Sequence, residues 1–163
     1  MTILQPCTTV RPIQLQDETR WRTLWDAYTC FYEREPVEAI TQHLWQRIFN
    51  PASPVQAIVA VHTDAAGQQN VIGIAHYLPH DNTSELTPVC YLQDLFVDPA
   101  ARAGGVGKQL IDWLLVEVKQ RGWANLYWNT RETNYRARAL YDKYTPQSGF
   151  VRYAVKNASK PIN

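Results

Sequence analysis

The segment that most constrains this chain is Val97-Asp98-Pro99-Ala100-Ala101-Arg102-Ala103-Gly104-Gly105-Val106-Gly107-Lys108. An apolar, strand-like run enters it and an amphipathic helical pattern leaves it. Between them lie three glycines flanked by two cations, Arg102 and Lys108. Glycine lets backbone approach a ligand closely, and the first amides of a helix point outward at anions. The segment reads as a phosphate cradle at a strand-to-helix turn. Two common nucleotide cradles do not fit it. A P-loop needs G-x-x-x-x-G-K-[ST]; Gly107-Lys108 matches its end, but Arg102 replaces the first glycine and Gln109 the hydroxyl that meets Mg²⁺. The dinucleotide pattern G-x-G-x-x-G is met by Gly105 and Gly107 but has Leu110 for its third glycine, and it follows antiparallel-looking strands.

The rest of the chain sets the frame for this turn. Its 163 residues suit one domain, 1–163, with a full core. A formal charge of +1 argues against a nucleic-acid partner. Cys7, Cys30 and Cys90 are odd in number and scattered, which reads as reduced thiols in a cytoplasmic protein. Met1 to Thr9 carries neither the basic nor the apolar region of a signal peptide. No apolar run reaches the length of a membrane span, so no membrane partner is expected. His76 and His80 are four apart, but Pro79 and the strand context prevent a helical ligand pair, and no metal site is expected.

Periodicity places the elements. Val10 to Leu15 reads as an edge strand because of Pro12. Asp17 then caps a helix whose Trp21, Leu24, Trp25, Tyr28, Phe31 and Tyr32 share a face. Thr41 is expected to cap a second helix burying Leu44, Trp45, Ile48 and Phe49, ended by Asn50-Pro51. Val55 to Val61 and Val71 to Tyr77 form a hairpin, and Val89 to Val97 a central strand. After the glycine turn, Val106, Leu110, Ile111, Leu114, Leu115 and Val118 give a helical stripe closed by Arg121-Gly122. Ala124 to Thr130 reads as a strand, Asn134 to Tyr144 as a short helix, and Phe150 to Lys156 as a last strand. The order predicts an α/β (α+β) fold: a mixed, mostly antiparallel sheet with helices on both faces.

A third pattern, [RQ]-x-x-G-x-[GA], is met by Arg102, Gly105 and Gly107 after Leu95-Phe96-Val97-Asp98-Pro99. Downstream, Asn134-Tyr135-Arg136-Ala137-Arg138-Ala139-Leu140-Tyr141 is followed by Gly149-Phe150. Together these resemble the two signature elements of the GNAT superfamily of N-acetyltransferases. Tyr91-Leu92-Gln93-Asp94-Leu95-Phe96-Val97 resembles the substrate strand of its diamine- and polyamine-acetylating members, and the sequence also resembles yeast-type members named for histone and polyamine acetylation. The resemblance covers Tyr91 to Tyr153 strongly and the N-terminal helices loosely.

The resemblance implies acetyl-CoA as co-substrate, with no metal, and transfer by direct attack of an amine in a ternary complex. It implies that Arg102, Ala103, Gly104, Gly105, Val106, Gly107 and Lys108 bind the pyrophosphate. Leu95, Phe96 and Val97 would contact the acetyl group and pantetheine through their backbone, and Asn134 the pantetheine arm. Tyr141 matches the general acid; a phenol protonates a departing thiolate of similar pKa with little penalty. Packing beside Ala137 and Leu140 explains a tyrosine there equally, and a plain N-cap explains Asn134. The general base stays open. Relatives carry Glu-Asp where this chain has Gln93-Asp94; Gln93 cannot take a proton, and Asp94, a tyrosine or backbone carbonyls remain as candidates. Glu33 and Glu35, where relatives form a wall of the acceptor pocket, would attract a cationic amine, unless they are a solvated charge run. The expected acceptor is a small primary amine such as a polyamine or an amino acid. Protein lysine and a non-catalytic acyl-CoA sensor are the alternatives. Homodimerisation through Phe150 to Lys156 is a further expectation from the family.

Overall fold

The computed structural model describes residues 7–155 and Asn157. The chain divides into two compact units, Met1–Asn129 and Thr130–Asn163. In the first, β1 (Cys7–Pro12) leads through a 3-10 turn (Leu15–Asp17) into α1 (Glu18–Phe31) and α2 (Glu38–Ile48). Then come β2 (Gln56–Thr63), β3 (Gln69–His80) and β4 (Val89–Val97), a 3-10 turn (Pro99–Gly104), α3 (Val106–Arg121) and β5 (Leu126–Trp128). The second unit holds α4 (Tyr135–Tyr141). This is a mixed α/β fold whose five strands lie in the order β1-β2-β3-β4-β5. All pairs are antiparallel except β4 with β5.

Side chains along a strand alternate between faces, so one sheet serves two helical layers. On one face, Trp21, Leu24, Trp25 and Tyr28 of α1 and Leu44 and Trp45 of α2 pack on Val59, Val61, Val71, Ile74 and Phe96. On the other, Val106, Leu110, Ile111, Leu114 and Val118 of α3 are buried. Burying side chains of this size is worth roughly 1.5–3 kcal/mol each, enough to seat the helix firmly. Its N-terminal half sits especially close to β3. A Cβ on Gly73 would lie 3.1 Å from Val106 and 3.3 Å from Leu110, so only glycine admits this approach without displacement.

Two bulges interrupt the alternation. The β2–β3 register shifts between Ala60 and Val61, leaving Ile72 without a partner. In the β3–β4 pair, His76 faces Asp94 and Tyr77 faces Leu92, so Gln93 is the extra residue. An extra residue inverts the facing of everything beyond it. Leu92 shares the α3 face with Tyr77, whose ring meets Trp113 and Trp123. Asp94 shares the α1 face with His76.

Several expectations shift. Thr41 is a buried residue inside α2, not its cap; the helix begins a turn earlier, with Val37 at the N-cap. Asp17 stands at the N-cap of α1 but caps nothing there with its side chain, which accepts from the Gln14 amide (2.8 Å) and Arg11 (2.7 and 2.9 Å). The first strand starts earlier than its apolar alternation suggests, and β5 is shorter. Residues 150–155 form no strand; Phe150, Val151, Tyr153 and Val155 are exposed. Lys156 lies outside the described residues. No described helix is long and apolar enough to cross a membrane.

Candidate active site

The glycine turn is set by Asp98. Its amide donates to Ile72 O (2.8 Å), and its carboxylate accepts from the Ala100 amide (2.9 Å). Arg20 of α1 pairs with the same carboxylate and donates to Val71 O (2.9 Å). The Ala100 amide, joined by Arg20 against the cost of burial, holds Asp98 below the usual carboxylate range. The chain passes through Ala103 and Gly104 and turns at Gly105, whose φ of 69° is the left-handed conformation that favours glycine. No side chain caps α3, and a Cβ on Gly105 would meet nothing within 4 Å. Val106 is buried, while Gly104, Gly105 and Lys108 are exposed. Open approach, uncapped helical amides and neighbouring cations together suit a pyrophosphate. Lys108 reaches Asp112 along the helix at 2.6 Å. Arg102 turns back to β4, donating to Val97 O (3.2 Å) with its guanidinium 5.4 Å from the Phe96 ring centre.

The β4–β5 ladder runs only from Cys90–Leu126 to Leu92–Trp128. Beyond it, along Gln93, Asp94, Leu95, Phe96 and Val97, no strand lies beside that edge of β4 among the described residues. Backbone groups along that edge make no ladder bonds among the described residues, which an extended ligand could satisfy.

Gln93 and Asp94 part company at the bulge. Gln93 is exposed; Asp94 is 9 % exposed and sits in a buried polar chain. Trp21 Nε1 donates to His76 Nε2 (2.9 Å), and His76 Nδ1 lies 3.0 Å from Asp94 Oδ2. An indole N–H only donates, so Nε2 is the acceptor nitrogen and Nδ1 carries the proton toward Asp94. Tyr28 gives Asp94 a further hydrogen bond; burial, then the Asp94 charge, pushes this phenol far above its ordinary value. Sequence reasoning missed His76, Trp21 and Tyr28 as a polar unit. The available signal was a histidine inside the apolar run Val71 to Tyr77.

A second polar group occupies the same face near the start of β4. Tyr91 and Tyr127 are opposite each other in the ladder and stack at 4.9 Å between ring centres. His80 Nε2 lies 2.8 Å from the Tyr127 hydroxyl, and Asn129 Nδ2 donates to the Tyr91 hydroxyl (3.3 Å). Cys90, the preceding residue of β4, is pushed up to about 12 by burial, which keeps it a thiol. Glu33, with φ of 56°, and Glu35 are exposed in the connection from α1 to α2.

In the second unit, Asn134 is the N-cap of α4, its side chain accepting from the Ala137 amide at 3.4 Å while Nδ2 donates to Thr130 (3.0 Å). Tyr141 is the last residue of that helix, in register with Ala137 and Leu140.

Residues 19–145 match the family model described as the Acetyltransferase (GNAT) family. The chain is 31 % identical over 144 residues to the D-amino-acid N-acetyltransferase HPA3 of Saccharomyces cerevisiae, covering 88 % of each. Among solved structures it resembles the aminoglycoside N-acetyltransferase AAC(6')-Iy in complex with CoA. That match has a TM-score of 0.76 at 19 % identity and covers 96 % of this chain and 99 % of that one. It also resembles the ribosomal-protein-alanine N-acetyltransferase of Brucella melitensis (TM-score 0.76, 19 % identity, covering 93 % and 100 %). The glycine turn, the parted strands and these matches agree: the chain belongs to the GNAT family of acetyltransferases and is an acetyl-CoA-dependent acyltransferase.

Proposed function

We propose that this enzyme acetylates the primary amine of a small molecule, an amino acid, a polyamine or a similar metabolite, by direct attack in a ternary complex. The observation that carries this reading is the 31 % identity, over 88 % of both chains, to an enzyme named for D-amino acids. In this reading the amides of Gly104 to Lys108 hold the pyrophosphate, Arg102 and Lys108 add charge, and Asn134 steadies the pantetheine arm. The backbone of Leu95, Phe96 and Val97 meets the thioester where β4 runs without β5. Gln93 at the bulge, with Glu33 and Glu35, contributes to the acceptor site. The neutral amine adds to the carbonyl carbon, the tetrahedral intermediate collapses, and the C–S bond breaks. Tyr141 gives its proton to the departing thiolate, and the proton shed by the acylated nitrogen restores the phenol.

The test is thiol release from acetyl-CoA across a panel of D- and L-amino acids, polyamines and histone peptides. Small amines are expected to have the highest kcat/KM. Histone peptides outcompeting every small amine would overturn the acceptor assignment, and CoA binding without any turnover would indicate a sensor. Tyr141→Phe is expected to lower kcat about 100-fold or more, the usual contribution of a general acid, with the KM for acetyl-CoA little changed. An unchanged kcat would remove Tyr141 from that role.

A further inference from the structure

With Gln93 unable to take a proton and Asp94 enclosed by His76 and Tyr28, the deprotonation of the acceptor needs another group. We propose that Tyr127 and His80 form a proton-accepting pair for the acceptor ammonium, with Tyr127 as the entry and His80 as the sink. This rests on the acetyltransferase reading above and deepens it.

The geometry fixes the direction of transfer. His80 Nδ1 lies 2.8 Å from the carbonyl oxygen of Asp81, which can only accept, so Nδ1 carries the proton. Neutral His80 therefore turns its Nε2 lone pair toward the Tyr127 hydroxyl at 2.8 Å, and that hydroxyl donates to it. The phenol oxygen keeps lone pairs for an incoming donor. Tyr127 is 39 % exposed, so a solute reaches it, whereas Asp94 is 9 % exposed. Burial and the neighbours Tyr91 and Cys90 keep Tyr127 in its phenol form, ready to pass a proton on rather than to lose one to solvent.

The position suits the chemistry. In the β3–β4 register Leu78 faces Tyr91 and His80 faces Val89, and Tyr91 faces Tyr127 across β4–β5. His80, Tyr91 and Tyr127 thus share the α1 face with His76 and Asp94. Tyr91 stands two residues before Gln93, where β4 loses its β5 neighbour, a distance of about 7 Å along a strand. The thioester at Leu95 is four residues from Tyr91, about 13 Å along the strand, so the ammonium proton reaches Tyr127 through bound water. The titratable group against His80 is Tyr127 of β5; Tyr91 of β4 stacks on Tyr127, Cys90 is the next residue of β4, and Asp81 is adjacent in sequence.

The step balances. The ammonium N–H bond breaks, its proton passes to the bound water, and a proton of that water joins Tyr127 Oη. The phenol's own proton moves to His80 Nε2. The products are a neutral amine, an unchanged phenol and an imidazolium whose Nδ1–H stays on the Asp81 carbonyl. His80 returns the proton to solvent after turnover. Imidazole is the side chain suited to accept and release a proton near neutral pH.

The experiment is the pH profile of kcat/KM for the best amine of the panel, in wild type, His80→Gln and Tyr127→Phe. All three keep the sheet, since both positions are partly exposed and the phenyl ring retains the stack; matching melting temperatures check this. Wild type is expected to lose activity as pH falls. In His80→Gln kcat/KM at pH 7 should fall roughly 100-fold, and the acid limb should move up in pH to follow the free amine itself. Tyr127→Phe should lose a similar factor. The KM for acetyl-CoA should stay constant in both. A merely structural role would lower the rate without moving the acid limb. An unmoved acid limb in His80→Gln, with kcat/KM within threefold of wild type, overturns the pair while the acetyltransferase reading stands. No turnover of any amine by the wild type would overturn both.

Discussion

On the α3 face of the sheet, Gly73 lets Val106 and Leu110 settle directly on β3, and the buried side chains of α3 are all apolar. On the α1 face, a polar chain of Trp21, His76, Asp94 and Tyr28 runs through an aromatic core. The first face carries the glycine turn, which offers backbone amides rather than side chains, so shape alone has to be right. The second contains the bulge and hydrogen-bonded polar side chains, so donors and acceptors have to be right. A change of volume should damage the first face most, and a change of polarity the second.

The largest effect is expected from Asp94→Ala. It leaves the His76 Nδ1–H and the Tyr28 hydroxyl without their acceptor in a buried setting, costing about 2–4 kcal/mol for the two donors together. Urea denaturation measures this. If polarity is confined to the α1 face, acetyl-CoA affinity by calorimetry should change less than threefold. A loss of CoA binding as large as the loss of stability would show that the faces are not separable in this way.

Gly73→Val tests the other face. Its Cβ alone would press on Val106 at 3.1 Å and Leu110 at 3.3 Å, and overpacking of this kind costs about 1–3 kcal/mol. Here the stability loss should be smaller than for Asp94→Ala, but acetyl-CoA affinity should fall at least tenfold because the first turn of α3 shifts. Unchanged affinity would mean that the close seat on β3 does not set the amide positions.

The same contrast explains what could be read from the sequence. Val106, Leu110, Ile111 and Leu114 announce the helix by their spacing, and Gly105 announces its start because the turn needs a left-handed residue. Both are local properties. β4 was also legible, its apolar run coinciding with Val89–Val97. The bulge at Gln93 was not, because alternation along one strand carries no information about the register of its partner. The consequence is specific: period-2 reasoning alone puts Leu92 and Asp94 on one face, and the structure puts them on opposite faces. Pairs such as Trp21 with His76 or His80 with Tyr127, 55 and 47 residues apart, exist only once strands and helices are placed. Phe150 to Val155 shows the reverse error. Its residue types favour a strand, but strand propensity describes a fit to neighbours rather than an intrinsic state, and here no ladder forms.

The smallest effect is expected where the two faces meet, at Asp98, which takes the Ala100 amide of the glycine turn and Arg20 of α1. Because its folded-state pKa lies below the ordinary value, held there first by the Ala100 amide and then by Arg20, ionised Asp98 favours the folded state. That contribution is complete above the unfolded carboxylate pKa of about 3.9 and is lost as pH falls through the lower folded value. Asp98→Asn keeps an oxygen for the amide and removes the charge. At pH 7 it should cost at most about 1 kcal/mol, since the pair is partly exposed. The gap to wild type in urea denaturation should narrow below about pH 4 and close once wild-type Asp98 is itself protonated. A gap that persists at the lowest pH would assign the loss to the geometry of the turn. The charge would then matter less than the amide bond, and Asp98 would belong with the shape-determined face rather than the polar one.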